Sequence, residues 1–267
     1  MLFSWLRNRR RRALLQESFP QRWKDLLQEN VRSYHRLTAD EQARVRDYVQ
    51  IFTAEKHWEG CGGQEITDEV RVTVAGLVAI LVLGLDAEYF DHVLSILVYP
   101  DAYVARPSAA SGPGIVIERD SARQGEAWYR GPVILSWSDV LTGGLQHAHG
   151  RNLVLHEFAH QLDMLNGRRA DGVPPLATAA QAERWTKVVG EHYHELVHAC
   201  SHGHAALLDC YGATSPAEFF AVATETFFQR PAALQHRHPE LYACLREFYR
   251  QDPVARETDS PHAGLVP

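Results

Sequence analysis

The sequence predicts an α+β fold, mainly helical with a small β-sheet. Two observations carry this: apolar residues recur at helical spacing through both ends of the chain, and a few short apolar runs punctuated by Pro and Gly lie in the middle. The chain shows no internal repeat.

Residues 1–18 read as a basic, mobile arm, with docking to a membrane surface or an acidic partner as the alternative. From Arg22 to about Ala54, helical spacing predicts two helices broken around Thr38-Ala39-Asp40. A buried apolar helix follows, opened by Thr67 and Asp68 and closing near Gly84. Val93–Tyr99, ending at Pro100, reads as a buried strand. Residues 106–114 are loop chemistry, and Gly114–Glu118 and Pro132–Trp137 read as further strands. Helical periodicity returns over Leu153–Leu165, Gln181–Cys200, Pro216–Gln229 and Pro239–Arg250. One domain over residues 19–251 and a frayed tail over 252–267 complete the expected organisation.

With 267 residues, 45% hydrophobic and 22% charged, the chain can bury a core without metal or disulfide staples, which excludes a disordered, collagenous or coiled-coil description. The net charge of −6 argues against a protein that coats nucleic acid. Arg7, Arg9, Arg10, Arg11 and Arg12 precede any acid, and the apolar residues of Met1–Leu6 precede those arginines, the reverse of a secretory signal. Val72–Leu85, the longest uncharged apolar stretch, is too short to span a bilayer. Cys61, Cys200, Cys210 and Cys244 form no CxxC pair and no dense framework, which argues against a disulfide scaffold. The expectation is a soluble, cytoplasmic protein.

The chemistry concentrates at residues 156–160, His-Glu-Phe-Ala-His. Histidines four apart share one helix face, so His156 and His160 can reach one ion, and Glu157 beside them can take a proton from a water that the ion activates. The pattern occurs again at 194–198, His-Glu-Leu-Val-His. There Trp185, Val189, His192 and Leu196 form the inward stripe of the helix, leaving His194 and His198 on the solvent face. The first helix is apolar nearly all round, with His156, His160 and Asp163 set into one sector. Polar groups in such surroundings need partners, and a metal supplies one.

A catalytic zinc takes a third protein ligand and keeps a position open for water. The segment 211–229 offers two glutamates. Ser215 and Pro216 open a helix in which Glu218 is the third residue, a position that also suits a capping-box glutamate. Glu225 lies two turns on along the same face, as a ligand or as a group that orients a ligand histidine. Spacing leaves both open.

HEFAHQLD with NG at 166–167, followed in order by SPAEFFAVATETFF, resembles the Mlc titration factor family of bacterial zinc metallopeptidases. That family is similar around its metal site to the catalytic domain of anthrax lethal factor. The resemblance runs from the N-terminal helices through LYACLREFYRQDP at 241–253. It implies a zincin-like fold, one Zn²⁺ per chain held by His156, His160 and Glu218, Glu157 as general base, and Tyr211 as donor to the oxyanion of the transition state. Asp163 and Glu225 are then candidates to orient the imidazoles. The resemblance further implies aminopeptidase-like hydrolysis of peptides. Its rival implication, a binding role, is sequestration of an Mlc-like transcriptional repressor that relieves repression of sugar uptake. Some relatives carry a histidine that can enter the metal cleft from the segment matching Gly114–Arg119. Ile117 stands at that place here, so such self-inhibition is not expected. The His-rich stretch 192–204 has no counterpart in the family pattern and reads as ordinary surface or a weak metal-loading site.

Overall fold

The computed structural model describes residues 2–85, 90–101, 131–146, 150–167 and 169–258. The expected loop at 106–114, the strand Gly114–Glu118 and Ile117 lie outside them. The architecture is mainly helical α+β, as the periodicity predicts.

At its centre lies α4 (Asp68–Val82), capped by the Thr67 hydroxyl accepting the Val70 N–H and buried from Val72 through Val82. This is the apolar helix expected from the sequence, and an element apolar on every side is stable only when covered on every side. Its neighbours are α2 (Gln21–Asn30), α3 (Ala39–Glu55), α5 (Trp137–Leu145) and α6 (Leu153–Asp163). The predicted break before α3 is a capping box in which Thr38 and Glu41 satisfy each other's backbone N–H groups. Just after α4, Gly84 passes so close to another segment that a Cβ would stand 2.1 Å from the Tyr249 carbonyl oxygen.

Among the described residues, a three-stranded parallel sheet has the order β1–β2–β3, with β1 at His57–Gly60, β2 at Ser95–Tyr99 and β3 at Val133–Ser136. Trp58 pairs with Ile96 and Leu97 with Ile134. The strand β1, HWEG, has no apolar run and was not anticipated. Trp137 does not end a strand as expected: the Ser136 hydroxyl accepts the Asp139 N–H and turns the chain directly into α5.

The C-terminal half supplies α7 (Ala179–Ser201), a 3₁₀ turn at Cys210–Ala213, α8 (Pro216–Gln229), α9 (Pro231–Arg237), α10 (Pro239–Tyr249) and α11 (Pro253–Thr258). Among the described residues no helix is long and apolar enough to cross a membrane.

Both ends correct the sequence reading. Residues 2–14 form helix α1 rather than a mobile arm. Arg7 and Arg11, one turn apart, share a face. Arg11 donates to Glu55 at 2.8 and 2.6 Å and to Asp91, and Arg7 lies 2.7 Å from Asp91. Arg9, Arg10 and Arg12 stay exposed. The tail is likewise structured through α11, where Arg256 donates to Glu41 at 2.7 Å and Glu257 accepts from Arg36 at 2.6 Å. In each case the partners are distant in sequence, so local composition could not reveal them.

Candidate metal centre

Helix α6 packs against α8 on one side and α4 on another, with its ends set by caps. Asn152 caps α6 by accepting the Leu155 N–H at 3.1 Å. Ser215 caps α8 by accepting the Glu218 N–H at 3.2 Å, with Pro216 next in the chain. The Glu218 side chain does not close a capping box; it turns to the imidazoles of α6.

His156, His160 and Glu218 are all buried. Nε2 of His156 lies 3.3 Å from Nε2 of His160, and Glu218 Oε2 lies 3.0 and 3.4 Å from those two nitrogens. Bonds of about 2.0–2.2 Å in a tetrahedral shell place neighbouring ligand atoms about 3.3–3.6 Å apart. Two of the three separations fall in that range, and the third is about 0.3 Å shorter. Two ring nitrogens and one carboxylate oxygen facing one point is also the donor set that a divalent metal takes. The residues present fit a metal ion.

The electrostatics agree with that reading. Burial alone would push the His156 imidazolium down, but the Glu218 and Glu225 carboxylates outweigh it and hold it up at about 10. Burial alone would push Glu218 up, and the two imidazoles reverse this, holding its carboxylate well below the ordinary range. The two carboxylates thus favour positive charge on the imidazoles they face. Glu157, between the two histidines in sequence, is raised by burial, partly offset by the imidazoles.

The other expected residues take different places. Glu225 stands behind His156, with Oε2 3.6 Å from Nδ1, so it faces the ring's far side while Glu218 faces the near side. Tyr211 comes beside His156 with ring centroids 5.9 Å apart. Asp163, fully buried, accepts the Gly172 N–H at 2.7 Å rather than bonding an imidazole. Nδ1 of His160 has no hydrogen-bond partner among the described residues. In the second motif, His194 and His198 are exposed while Trp185, Val189 and Leu196 are buried.

Residues 5–250 match the family described as glucose-regulated metallo-peptidase M90. An uncharacterized protein of Synechocystis is 36% identical over 246 residues, covering 92% of this chain and 89% of its own. The Mlc titration factor A of Escherichia fergusonii is 33% identical over 92% of this chain and 91% of its own, and that of Salmonella agona 35% identical over 82% and 83%. This chain belongs to the M90 metallopeptidase family.

Membership implies hydrolysis assisted by a metal ion, which the donor set of this M90 protein fits. Two positioning residues of the M90 protein were missed in the sequence. Asn152 donates its N–H to Glu225 Oε1 at 2.9 Å and its side-chain amide to the Gly143 carbonyl at 2.9 Å, joining α6 to α8 and α5 at the level of His156. Its place directly before the apolar run of α6 marks it as a cap, but the long-range bonds have no local signal. Gly172 has φ +85°, and a Cβ there would lie 2.5 Å from the Pro216 carbonyl oxygen. Its own carbonyl accepts from the Trp185 indole at 3.0 Å. The loop thus presses on the first turn of α8, which carries Glu218.

The four cysteines form no scaffold, as expected, but one pair is joined. Cys200 and Cys210 form a disulfide, while Cys61 and Cys244 are free. The bond ties the last turn of α7 to the 3₁₀ turn bearing Tyr211. A single crosslink over so short a loop leaves no pattern of spacing to read.

Proposed function

We propose that this M90 protein is a zinc-dependent, aminopeptidase-like peptidase. The observation that carries the reading is the triangle of 3.0, 3.3 and 3.4 Å formed by His156, His160 and Glu218 in a buried setting. These residues would hold the zinc, which when bound lowers the pKa of water towards about 7 and polarises a peptide carbonyl.

Glu157 takes the proton of the attacking water and returns it to the leaving amine. Its raised proton affinity, caused by burial, suits both halves of that role. Tyr211, in the turn beside His156, donates its hydroxyl to the developing oxyanion. Glu225, opposite Nδ1 of His156, holds the ring so that Nε2 faces the centre. Asp163 acts at one remove, anchoring the Gly172 loop that backs the start of α8.

A second reading is supported by the name of the Escherichia and Salmonella relatives, Mlc titration factor A. On it, the protein sequesters an Mlc-like transcriptional repressor and thereby relieves repression of sugar uptake. Glu157→Gln separates the two. A peptidase loses hydrolysis of small peptide substrates by about 100-fold or more while keeping its zinc. A protein that acts by sequestration alone keeps its repressor partner in that variant and shows no zinc-dependent turnover in the wild type.

A further inference from the structure

We propose that His192, Glu195 and His238 form a second divalent-cation site, one that takes zinc. The second His-Glu-x-x-His stretch contributes its glutamate to this site and not its histidines.

His192 and Glu195 stand one turn apart on α7, with Nδ1 of His192 2.9 Å from Glu195 Oε2. The third member comes from another part of the chain: His238 sits at the junction of α9 and α10. The His192 and His238 rings lie 5.1 Å apart at 89°, close to the 4.9 Å and 82° of His156 and His160. One ligand atom from each of the three residues falls within 4.8 Å of the others, a spread that modest side-chain rotation can contract to a shell. Two imidazoles and a carboxylate repeat the donor set of the buried centre.

The surroundings suit an exchangeable ion rather than a permanent one. The three residues line a groove of about 440 Å³ together with Ala199, Leu207, Leu208 and Arg237. His192 is mostly covered, whereas the Glu195 side chain is 65% exposed, so a cation can enter from solvent and carboxylate reorganisation costs affinity. Bound there, it would clamp α7 to the α9–α10 junction. His194 and His198 are placed differently: His194 bonds the Gly190 carbonyl at 2.7 Å, and His198 stacks on His202 at 4.2 Å.

The test is calorimetric titration of the chelator-treated full chain with zinc chloride, paired with thermal unfolding. The wild type is expected to bind a tight first equivalent and a weaker second one. Occupancy of the second should raise Tm by about 3 °C. His238→Ala and the exposed Glu195→Gln should each abolish the second equivalent and its Tm rise while keeping the first, which reports an intact fold. His198→Ala should keep both. In His156→Ala the tight equivalent should vanish and the weaker one persist, so failure at one centre is told apart from failure at the other. A wild type without a second equivalent, its persistence in either His238→Ala or Glu195→Gln, or its loss in His198→Ala would each overturn the proposal.

Discussion

Glu225 and Asn152 are 73 positions apart in sequence, yet Oε1 of the glutamate accepts the Asn152 N–H at 2.9 Å while Oε2 stands 3.6 Å from His156 Nδ1. One carboxylate therefore holds the start of α6 to α8 and faces the back of a candidate metal ligand. Glu225→Gln keeps the size and one acceptor oxygen but removes the charge. Zinc affinity should fall about 10–100-fold, with the first equivalent still able to bind at high zinc. Competition against a fluorescent chelator measures it, and unchanged affinity would mean that Glu225 serves the helix cap alone.

Gly172 combines a left-handed backbone with close contact to Pro216. Gly172→Ala should destabilise by about 2–3 kcal/mol, as both strain and overlap oppose the new methyl group. Because Pro216 begins the turn that carries Glu218, zinc affinity should fall as well. Urea unfolding and zinc titration on the same variant check the two effects, and a loss of stability without a loss of affinity would detach the loop from the metal centre.

The Cys200–Cys210 disulfide closes a loop of ten residues' separation. Its loss in the double serine variant should cost about 2–3 kcal/mol by the chain-entropy argument. Peptide turnover should also drop, because the turn bearing Tyr211 loses its covalent tie to α7. Thiol reductant should reproduce both effects in the wild type and none in the variant. If turnover is indifferent to reductant, the bond steadies the fold without steadying Tyr211.

The docking of α1 should depend on pH through Glu55. Burial pushes this carboxyl up, but the Arg11 guanidinium outweighs it and leaves it below its ordinary value. A group so depressed contributes its stability above the unfolded value of about 4.5 and loses it as pH falls through the lower folded value. Arg11→Leu should therefore cost about 1–3 kcal/mol at pH 7, and the gap from wild type should close in acid. Denaturant midpoints across pH 3–7 test this. A gap that persists unchanged at the acid end contradicts the assignment.

How far the sequence could be read depended on the range of the interactions involved. The elements with strong local signals were legible: α4 from its apolar run behind Thr67, α6 from helical spacing, and α8 from the Ser215-Pro216 opening. Strand β1 was not, because HWEG lacks an apolar pattern and is held by pairing to β2. The ends were misread because Arg11 and Arg256 find Glu55 and Glu41, 44 and 215 positions away.

The candidate site divides in the same way. The pairing of His156 with His160 follows from the period of a helix and needs nothing beyond the sequence. Helical spacing also separates the inward face of α7 from His194 and His198. The choice between Glu218 and Glu225 was closed to spacing, since both lie on one face of α8. It is the packing of α8 against α6 that brings Glu218 to Nε2 of His156 and Glu225 to Nδ1, and the same kind of long-range contact that gives Asp163 to Gly172 and joins Cys200 to Cys210. A helix's own geometry sets which of its residues share a face. What that face meets depends on where the rest of the chain comes to rest.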